Sequence, residues 1–186
     1  KSEVNFVKGK REGLERTYYE DGNIESEVNY INDKIEGLER TYYEDGNIKS
    51  EVNYINHKRE GLYKEYYGKD DLTMCNEDGF EHSWPLSIPL GKTEKQLEPG
   101  KLFRKVNYIN GKKEGLEYQY DWFYGELQYE NNYINDKREG ISKIYDCESG
   151  KLIWEINYIN DRKEGISKSY HESGELKSEV NYINDK

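Results

Sequence analysis

The sequence is short of apolar residues for its length. Hydrophobic residues make up 33% of the 186 residues, charged residues make up 35%, and the mean hydropathy is -1.18. A chain that buries so little apolar surface resembles a disordered protein in composition. Aromatic residues nevertheless make up 14%, and 19 residues are tyrosine, whereas disordered chains are usually poor in aromatics. This balance argues against a disordered tail and against a large globular core, and it favours an ordered but thin structure.

Long apolar runs and cysteine clusters are also lacking. No run of 18 apolar residues occurs, which excludes a membrane-spanning helix. The two cysteines, Cys75 and Cys147, are too few for a disulfide framework, and whether they pair is left open. The sequence begins at Lys1 without a methionine, which leaves room for a removed leader or for earlier repeats. The compartment is therefore left open.

Motifs for catalysis and metal binding are absent as well. His57, His82 and His171 show no metal-ligand spacing, and the glycines form no phosphate-binding loop. Aspartate and glutamate are so abundant that carboxylate pairs arise by chance, so no pair indicates a glycosidase. We therefore predict no catalytic residue, no metal and no cofactor, and we do not expect an enzyme.

Negative charge is present in excess. The formal net charge is -10 and the isoelectric point is about 5.0. Nucleic acids and anionic membranes attract proteins with clustered lysine and arginine. Nucleic acid is therefore not expected as a partner, and a membrane is disfavoured. A basic protein would be steered electrostatically towards this surface, so the predicted partner is a protein of basic character.

The sequence is built from repeats. Residues 13–24 are identical to residues 37–48. An Asn-Tyr-Ile-Asn motif begins at Asn29, Asn53, Asn107, Asn132, Asn157 and Asn181. The motif recurs every 24 or 25 residues, except for a longer gap that we attribute to an insertion at residues 68–97, within the third full repeat. The whole chain, 1–186, is predicted to be one array, with units at about 1–12, 13–36, 37–60, 61–114, 115–139, 140–164 and 165–186.

Each unit has the pattern of a β-hairpin. Residues 37–43 form a first strand and residues 48–55 a second one, separated by Asp45-Gly46. Asp-Gly and Asn-Gly predict type I′ turns, which need a positive φ at both central residues; Asp21-Gly22 and Asn110-Gly111 repeat the signal. The predicted fold class is all-β: an elongated, single-layer antiparallel meander of stacked hairpins, with no helix outside residues 68–97.

Alternation along the strands assigns side chains to two faces. Val52 and Tyr54 of the second strand share one face, and we assign Leu38 and Tyr42 of the first strand to the same apolar, aromatic face. Stacked units then form two rows of rings, which we interpret as a packing spine and not as a ligand site. The rows are Phe6, Tyr30, Tyr54, Tyr108, Tyr133, Tyr158 and Tyr182, and Tyr18, Tyr42, Tyr66, Tyr120, Tyr145 and Tyr170.

The spacing of these residues resembles a known repeat. Its pattern is seen in Gly37, Tyr42, Gly46, Tyr54, Asn56, Glu60 and Gly61. It resembles the MORN repeat variant of many bacterial proteins, over nearly the whole chain except the insertion. The resemblance implies an elongated ribbon of antiparallel hairpins that acts as a scaffold, membrane-associated module or assembly platform, without catalytic residues. One bacterial branch looks like the antitoxin or immunity partner of secreted toxins.

Two neighbouring hairpin tips depart from the repeat. The insertion carries Phe80 and Trp84, and the next tip has three consecutive aromatic residues, Trp122, Phe123 and Tyr124. Exposed aromatic patches are costly in water, and tryptophan and tyrosine dominate binding hot spots. We therefore predict that these five residues bind a partner. The alternative is that the three rings cover the insertion as a local core, and both can hold in part.

A third departure lies in the middle of the strands. Positions that are serine, arginine or lysine in most units are aromatic at Tyr118, Tyr129 and Trp154. We expect these three rings to line a groove between the tyrosine rows and to contact a partner. The alternative is that lysine and arginine stems cover tyrosine rings while their charges reach water.

These features predict a non-catalytic protein-binding repeat module, an antitoxin-like or immunity-like partner of a basic protein in a bacterium. The alternative is a structural or surface adhesion repeat from a longer array, and a membrane-associated module comes third. The cytoplasm is favoured for an antitoxin, and secretion or the cell surface for a processed fragment. Unpaired strand edges at residues 2–7 and 177–183 also predict edge-to-edge association of copies.

Overall fold

The structure is a computed structural model that describes residues 1–68, 100–122 and 124–186. Apart from Gly68, the predicted insertion at residues 68–97 lies outside these ranges, and so do Phe80, Trp84 and Phe123. The described residues form nineteen β-strands and contain no helix. The predicted all-β class is therefore confirmed.

The strands follow the repeat along the chain. Before the insertion they are β1 Ser2–Glu3, β2 Phe6–Val7, β3 Lys10–Arg11, β4 Gly13–Tyr18, β5 Ile24–Ile31, β6 Lys34–Ile35, β7 Gly37–Tyr42, β8 Ile48–Ile55 and β9 Lys58–Tyr66. After it they are β10 Leu102–Ile109, β11 Lys112–Lys113, β12 Gly115–Tyr120, β13 Leu127–Ile134, β14 Lys137–Arg138, β15 Gly140–Tyr145, β16 Leu152–Ile159, β17 Arg162–Lys163, β18 Gly165–Tyr170 and β19 Leu176–Tyr182. Each two-residue strand from β6 onwards leads into the long strand that follows it.

Consecutive long strands pair with one another, so the sheet is a meander. Strand β1 pairs with β4, and from β4 each long strand pairs with the next one along the chain as far as β19. All of these pairings are antiparallel. Seventeen strands form one sheet, and β2 and β3 form a separate two-stranded ladder. The predicted antiparallel meander of stacked hairpins is confirmed.

The hairpin tips differ from the predicted type I′ turns. Only the glycine of Asp21-Gly22 has a positive φ, 96°, and Gly46 has 85°. Tyr19 N donates to Asn23 O at 2.9 Å, and Gly22 N donates to Tyr19 O at 3.2 Å. This arrangement is typical of a type I turn followed by a left-handed glycine, a longer loop that also joins antiparallel strands. The prediction of type I′ geometry at the tips is wrong.

Type I′ geometry occurs instead at the turns that connect one unit to the next. Asn32 and Asp33 have φ values of 51° and 67°, and Asn110-Gly111 has 54° and 84°. Asparagine and aspartate tolerate this left-handed conformation better than most residues. The prediction at Asn110-Gly111 is therefore correct, although that turn joins two units and does not close a tip.

The pairing register separates the two tyrosine rows. Val52 lies opposite Glu39, whereas Leu38 lies opposite Asn53, and directly opposite residues share a face. Leu38 and Tyr42 therefore lie on the face away from Val52, and their assignment to its face is wrong. Alternation fixes the faces within one strand, but the length of the tip and the bulge before Tyr42 set the phase between strands.

The two faces are unequally buried, and we call them inner and outer. The inner face carries Val52 and Val106, only 2% and 1% exposed, which form a cluster with Tyr63 and Tyr108. The outer face carries Leu38, which is 44% exposed. Because a single layer offers no second sheet to cover a face, the inner side chains bury one another.

A third tyrosine row ties the units together and was missed in the sequence. The hydroxyl of Tyr19 donates to Tyr42 O at 2.6 Å, that of Tyr43 to Tyr66 O at 2.8 Å, and that of Tyr67 to Tyr120 O at 2.8 Å. Each bond crosses from one unit to the next. The second tyrosine of each Tyr-Tyr pair therefore links neighbouring hairpins near their tips.

Candidate functional site

The aromatic tip spans residues 121–126. Asp121 N donates to Glu126 O at 2.7 Å, and Oδ1 of Asp121 accepts a hydrogen bond from Tyr124 N at 2.7 Å. The tip at residues 146–151 has the same pattern, in which Oδ1 of Asp146 accepts from Ser149 N at 2.8 Å. The two tips thus share the same described hydrogen bonds, and they differ in their side chains.

Trp122 and Tyr124 are the predicted tip residues that the structure describes. Both are partly buried and have contacts within the chain, beside Asp121, which is only 5% exposed. Their joint patch with Phe80, Trp84 and Phe123 falls on residues outside the described ranges. A shared role of these five residues in binding stays a prediction.

The mid-strand rings lie on two faces. Tyr129 and Trp154 both lie directly opposite Ile144, so they share the inner face. Tyr118 lies opposite Glu130 on the outer face, where the Lys105 ammonium is 4.7 Å from its ring centroid. The predicted groove of three rings is therefore wrong for Tyr118. Lysine covering a tyrosine ring, the alternative interpretation, describes this outer position.

Tyr129 lies in an open cleft of about 420 Å³ on the inner face. The cleft extends across strands β12 to β16. Its walls include Gln119, Tyr129, Asn131, Ser142, Ile144 and Ile156. Its volume falls within the roughly 300–1,000 Å³ range of small-molecule sites, and its lining combines polar and apolar side chains.

The charged groups of the cleft already have partners. Lys113 Nζ is 2.6 Å from a carboxylate oxygen of Glu117, and burial together with this carboxylate raises the pKa of Tyr133 to about 12. The Arg138 guanidinium lies 4.0 Å from the Tyr158 ring centroid, and its Nε is 3.2 Å from Asp161. A second tyrosine thus shields the arginine, and the cleft offers uncharged groups to a ligand.

One buried hydroxyl in the cleft lacks a hydrogen-bond partner. Ser142 is 4% exposed, and its Oγ makes no hydrogen bond. Gln119 and Asn131, on the same face, make no side-chain hydrogen bond to another described residue. Sequence reasoning missed these three residues. The signal was available, because the equivalent residues of the 37–60 unit are Glu39, Thr41 and Val52.

Charge is unevenly divided between the two edges of the sheet. The edge at the hairpin tips carries eleven described acidic residues and five lysines. The acids are Glu20, Asp21, Glu25, Glu44, Asp45, Asp121, Glu126, Asp146, Glu148, Glu172 and Glu175, and the lysines are Lys1, Lys49, Lys101, Lys151 and Lys177. The molecule therefore presents a strongly acidic edge at the tips.

The edge at the inter-unit turns has the opposite balance. Its described cations are Lys8, Lys10, Arg11, Lys34, Lys58, Arg59, Lys112, Lys113, Lys137, Arg138, Arg162, Lys163 and Lys186. Its acids are Glu12, Asp33, Glu36, Glu60, Glu114, Asp136, Glu139, Asp161, Glu164 and Asp185. Several acids accept backbone hydrogen bonds across units, such as Glu36 from Asn56 N at 2.8 Å. Several carboxylates at this edge therefore link neighbouring units through hydrogen bonds.

Aliphatic side chains form a strip on the outer face. Each full unit contributes one leucine or isoleucine from its first strand and one isoleucine from its second, such as Leu38 and Ile55, which are 44% and 47% exposed. The remaining members are Leu14, Ile31, Leu62, Ile109, Leu116, Ile134, Ile141, Ile159, Ile166 and Ile183. This strip is the main apolar surface among the described side chains.

The described ranges contain neither a metal-binding cluster nor a membrane-spanning helix. Within those ranges no group of three or more His, Cys, Asp or Glu side chains is arranged to hold a metal ion. Nor is any helix in that part of the chain long and apolar enough to cross a bilayer. Cys147 is a free, partly buried thiol, and burial raises its pKa.

Comparison with known families finds a match for three segments of the chain. Residues 11–32, 35–56 and 163–184 match the family model described as MORN repeat variant. The chain therefore contains MORN-type repeats, and the resemblance drawn from the repeat pattern is confirmed at that level. No curated protein matches the chain. The likeness to antitoxins and a bacterial origin stay predictions.

Proposed function

We propose that this array of MORN repeat variants is a protein-binding module that docks a basic partner along its hairpin tips, as the antitoxin-like or immunity-like component of a bacterial pair. Three segments of the chain match the MORN repeat variant, and repeats of this kind generally act as protein- or membrane-binding modules. Their stacked units offer an extended surface to a partner.

The segregation of charge supports this proposal most directly. Eleven acidic side chains against five lysines at the tip edge create a negative potential along one side of the sheet. Complementary charge speeds encounter and selects among partners. A basic protein would approach this edge, because the opposite edge carries more cations than acids.

The aromatic tip supplies anchoring contacts, which charged side chains alone do not provide. Trp122 and Tyr124 lie at the acidic edge in the central part of the array. Partly buried tryptophan and tyrosine are the residues most often found at binding hot spots. We assign them the anchoring contacts and assign the acidic residues the steering.

The experiment uses the product of the gene adjacent to this one as the partner. We expect the wild-type chain to bind that product in calorimetry and to relieve its toxicity on co-expression. The combined change Glu20→Lys, Glu44→Lys and Glu126→Lys should abolish both effects. All three side chains are exposed.

The matched control changes charge at the other edge. Lys34→Glu, Lys58→Glu and Lys137→Glu are exposed positions at the inter-unit turns, and this variant should keep both binding and protection. If the adjacent product does not bind the wild-type chain, the antitoxin assignment is wrong. If both charge variants lose binding equally, the tip edge is not the docking surface.

A further inference from the structure

We propose that the inner-face cleft of strands β12 to β16 binds an uncharged saccharide. This inference is independent of the acidic tip edge and of any protein partner. It rests on the residues that replace the regular pattern of the repeat inside the cleft.

The regular units satisfy their own polar groups at the corresponding positions. Thr17 and Ser26 share a hydrogen bond of 2.6 Å, Thr41 and Ser50 one of 2.7 Å, and Ser169 and Ser178 one of 2.6 Å. Each pair lies directly opposite on the inner face. These units therefore leave no polar group of the pair for a ligand.

The cleft breaks this pairing. The Thr41 and Ser50 positions become Gln119 and Tyr129 in one unit and Ile144 and Trp154 in the next. Neither pair makes a side-chain hydrogen bond across the strands. The Gln119 amide therefore has no partner across the strands, and Tyr129, Ile144 and Trp154 replace small hydroxyl side chains. Of these three, Tyr129 and Ile144 line the cleft.

The neighbouring positions on the inner face also depart from the regular pattern. The Val52 position becomes Asn131, which lies opposite Glu117. Ser142 Oγ is buried without a partner, as is Ser167 Oγ at the equivalent position of the next unit, and a buried hydroxyl without a hydrogen bond is unfavourable. Three uncharged groups that can both donate and accept hydrogen bonds, Gln119, Asn131 and Ser142, thus face one cleft.

This combination matches the chemistry of a sugar ring. A pyranose presents an apolar C–H face, which packs on aromatic and aliphatic side chains, and a rim of hydroxyls, each both donor and acceptor. Tyr129, Ile144 and Ile156 provide the apolar contact. Because Glu117 is paired with Lys113 and Arg138 with Asp161, an ionic ligand would have to displace an existing ion pair.

The test titrates cellotriose, maltotriose and chitotriose into the full chain, with calorimetry and tryptophan fluorescence as readouts. We expect at least one to bind saturably. Tyr129→Ser and Asn131→Val restore the residue types of Ser50 and Val52, so they should fold. Each should weaken binding roughly tenfold, the effect of about one lost hydrogen bond or ring contact.

The matched control removes a ring from the other face. Tyr118→Ser should leave saccharide affinity unchanged, and thermal melts should show that all variants fold. Gln119→Thr, which restores the Thr41 type, provides a third cleft variant if one of the others unfolds. The proposal is overturned if no trisaccharide binds, if the cleft variants bind as the wild type does, or if Tyr118→Ser has an equal effect. Binding of a neutral Asn- and Gln-rich peptide in place of all three saccharides would also overturn it.

Discussion

The tip that carries Trp122 shares its described hydrogen bonds with a tip that has no tryptophan. The hydrogen bonds around Asp121 recur around Asp146, where the residue equivalent to Trp122 is Cys147. Asp146 itself has a lowered pKa, mainly because Ser149 donates hydrogen bonds to its carboxylate. The aspartate, and not the aromatic ring, therefore organises this kind of tip.

We predict that Trp122→Ala weakens partner binding by about 2 kcal/mol while leaving the melting temperature nearly unchanged. Melting and calorimetry on the same variant measure both quantities. If the rings instead form a local core, the change should lower the free energy of unfolding by roughly 3 kcal/mol, and any loss of binding should follow unfolding. Cys147→Ala, at the equivalent tip position, should affect neither quantity.

Glu27 gives a pH dependence at the residue scale. Arg16 Nε and the Tyr42 hydroxyl each donate to its carboxylate at 2.8 Å, and these bonds lower its pKa, with Arg16 as the largest cause. A carboxyl whose pKa is lowered by folding stabilises the protein above its unfolded pKa of about 4.3. That contribution is lost as the pH falls through the lower folded pKa.

Glu27→Gln should therefore lower stability at neutral pH and reduce the further loss on acidification. Denaturant unfolding at pH 7 and at steps down to about pH 3 measures the difference in the free energy of unfolding between this variant and the wild type. This pH range spans the unfolded carboxyl pKa. Glu25→Gln, an exposed neighbour on the same strand, should leave the curve unchanged. A parallel shift of the whole curve by Glu27→Gln would contradict the assignment.

At the scale of elements, the strands were predictable and their relative phase was not. Residues 48–55 were predicted as a strand and are β8, because turn residues bound a β-type run on both sides. The face of Leu38 was wrong, because the bulge before Tyr42 and the tip length shift one strand against the next. Neither feature leaves a mark in the alternation of a single strand.

The candidate site was harder to predict than the fold. Tyr129 and Trp154 attracted notice because they are large, and the structure brings both to the inner face. Asn131 and Ser142 escaped notice because single polar residues are common in this chain. Whether such a residue is available to a ligand depends on the side chains opposite it, and these are known only from the strand register.

His57 replaces the aspartate that most of the turns between units carry. In most units this position is aspartate, whose carboxylate accepts a backbone hydrogen bond from the preceding unit, as Asp33 does from Arg11 N at 2.8 Å. His57 accepts from Ile35 N through Nδ1 at the longer distance of 3.2 Å. Hydrogen bonds to a charged acceptor are shorter and stronger.

We predict that His57→Asp raises the free energy of unfolding by about 1 kcal/mol. Aspartate also tolerates the φ of 67° found at this position. Chemical denaturation measures the gain. His171→Asp at an exposed tip is the control and should change stability by less than about 0.5 kcal/mol. A loss of stability in His57→Asp would show that the turn does not need a carboxylate.

At the scale of the whole molecule, each unit contacts its neighbours in the sheet, and stability is close to a sum of units and interfaces. Among the described strands, β1 pairs with β4 alone and β19 pairs with β18 alone. One side of each of these two strands is therefore not paired with any other described strand. Edge-to-edge association of copies stays a prediction.

We expect the weight-average mass in sedimentation to rise with concentration. Val180→Lys should reduce the rise, because a charge on an edge strand blocks pairing with another strand. Val180 is 46% exposed, so the fold should tolerate the change. Leu38→Lys, on a strand paired on both sides, serves as the control. A constant mass up to millimolar protein would argue against edge pairing.

The third tyrosine row has a mechanical consequence. Its hydroxyls link successive units from Tyr19 to Tyr120, and the equivalent positions beyond that point are Asp121, Asp146 and His171. Units arranged in series under tension carry the same force, so the junctions without this extra bond should yield first. A pull applied along the array is therefore expected to peel the chain from its C-terminal half, while the half reinforced by tyrosine stays folded.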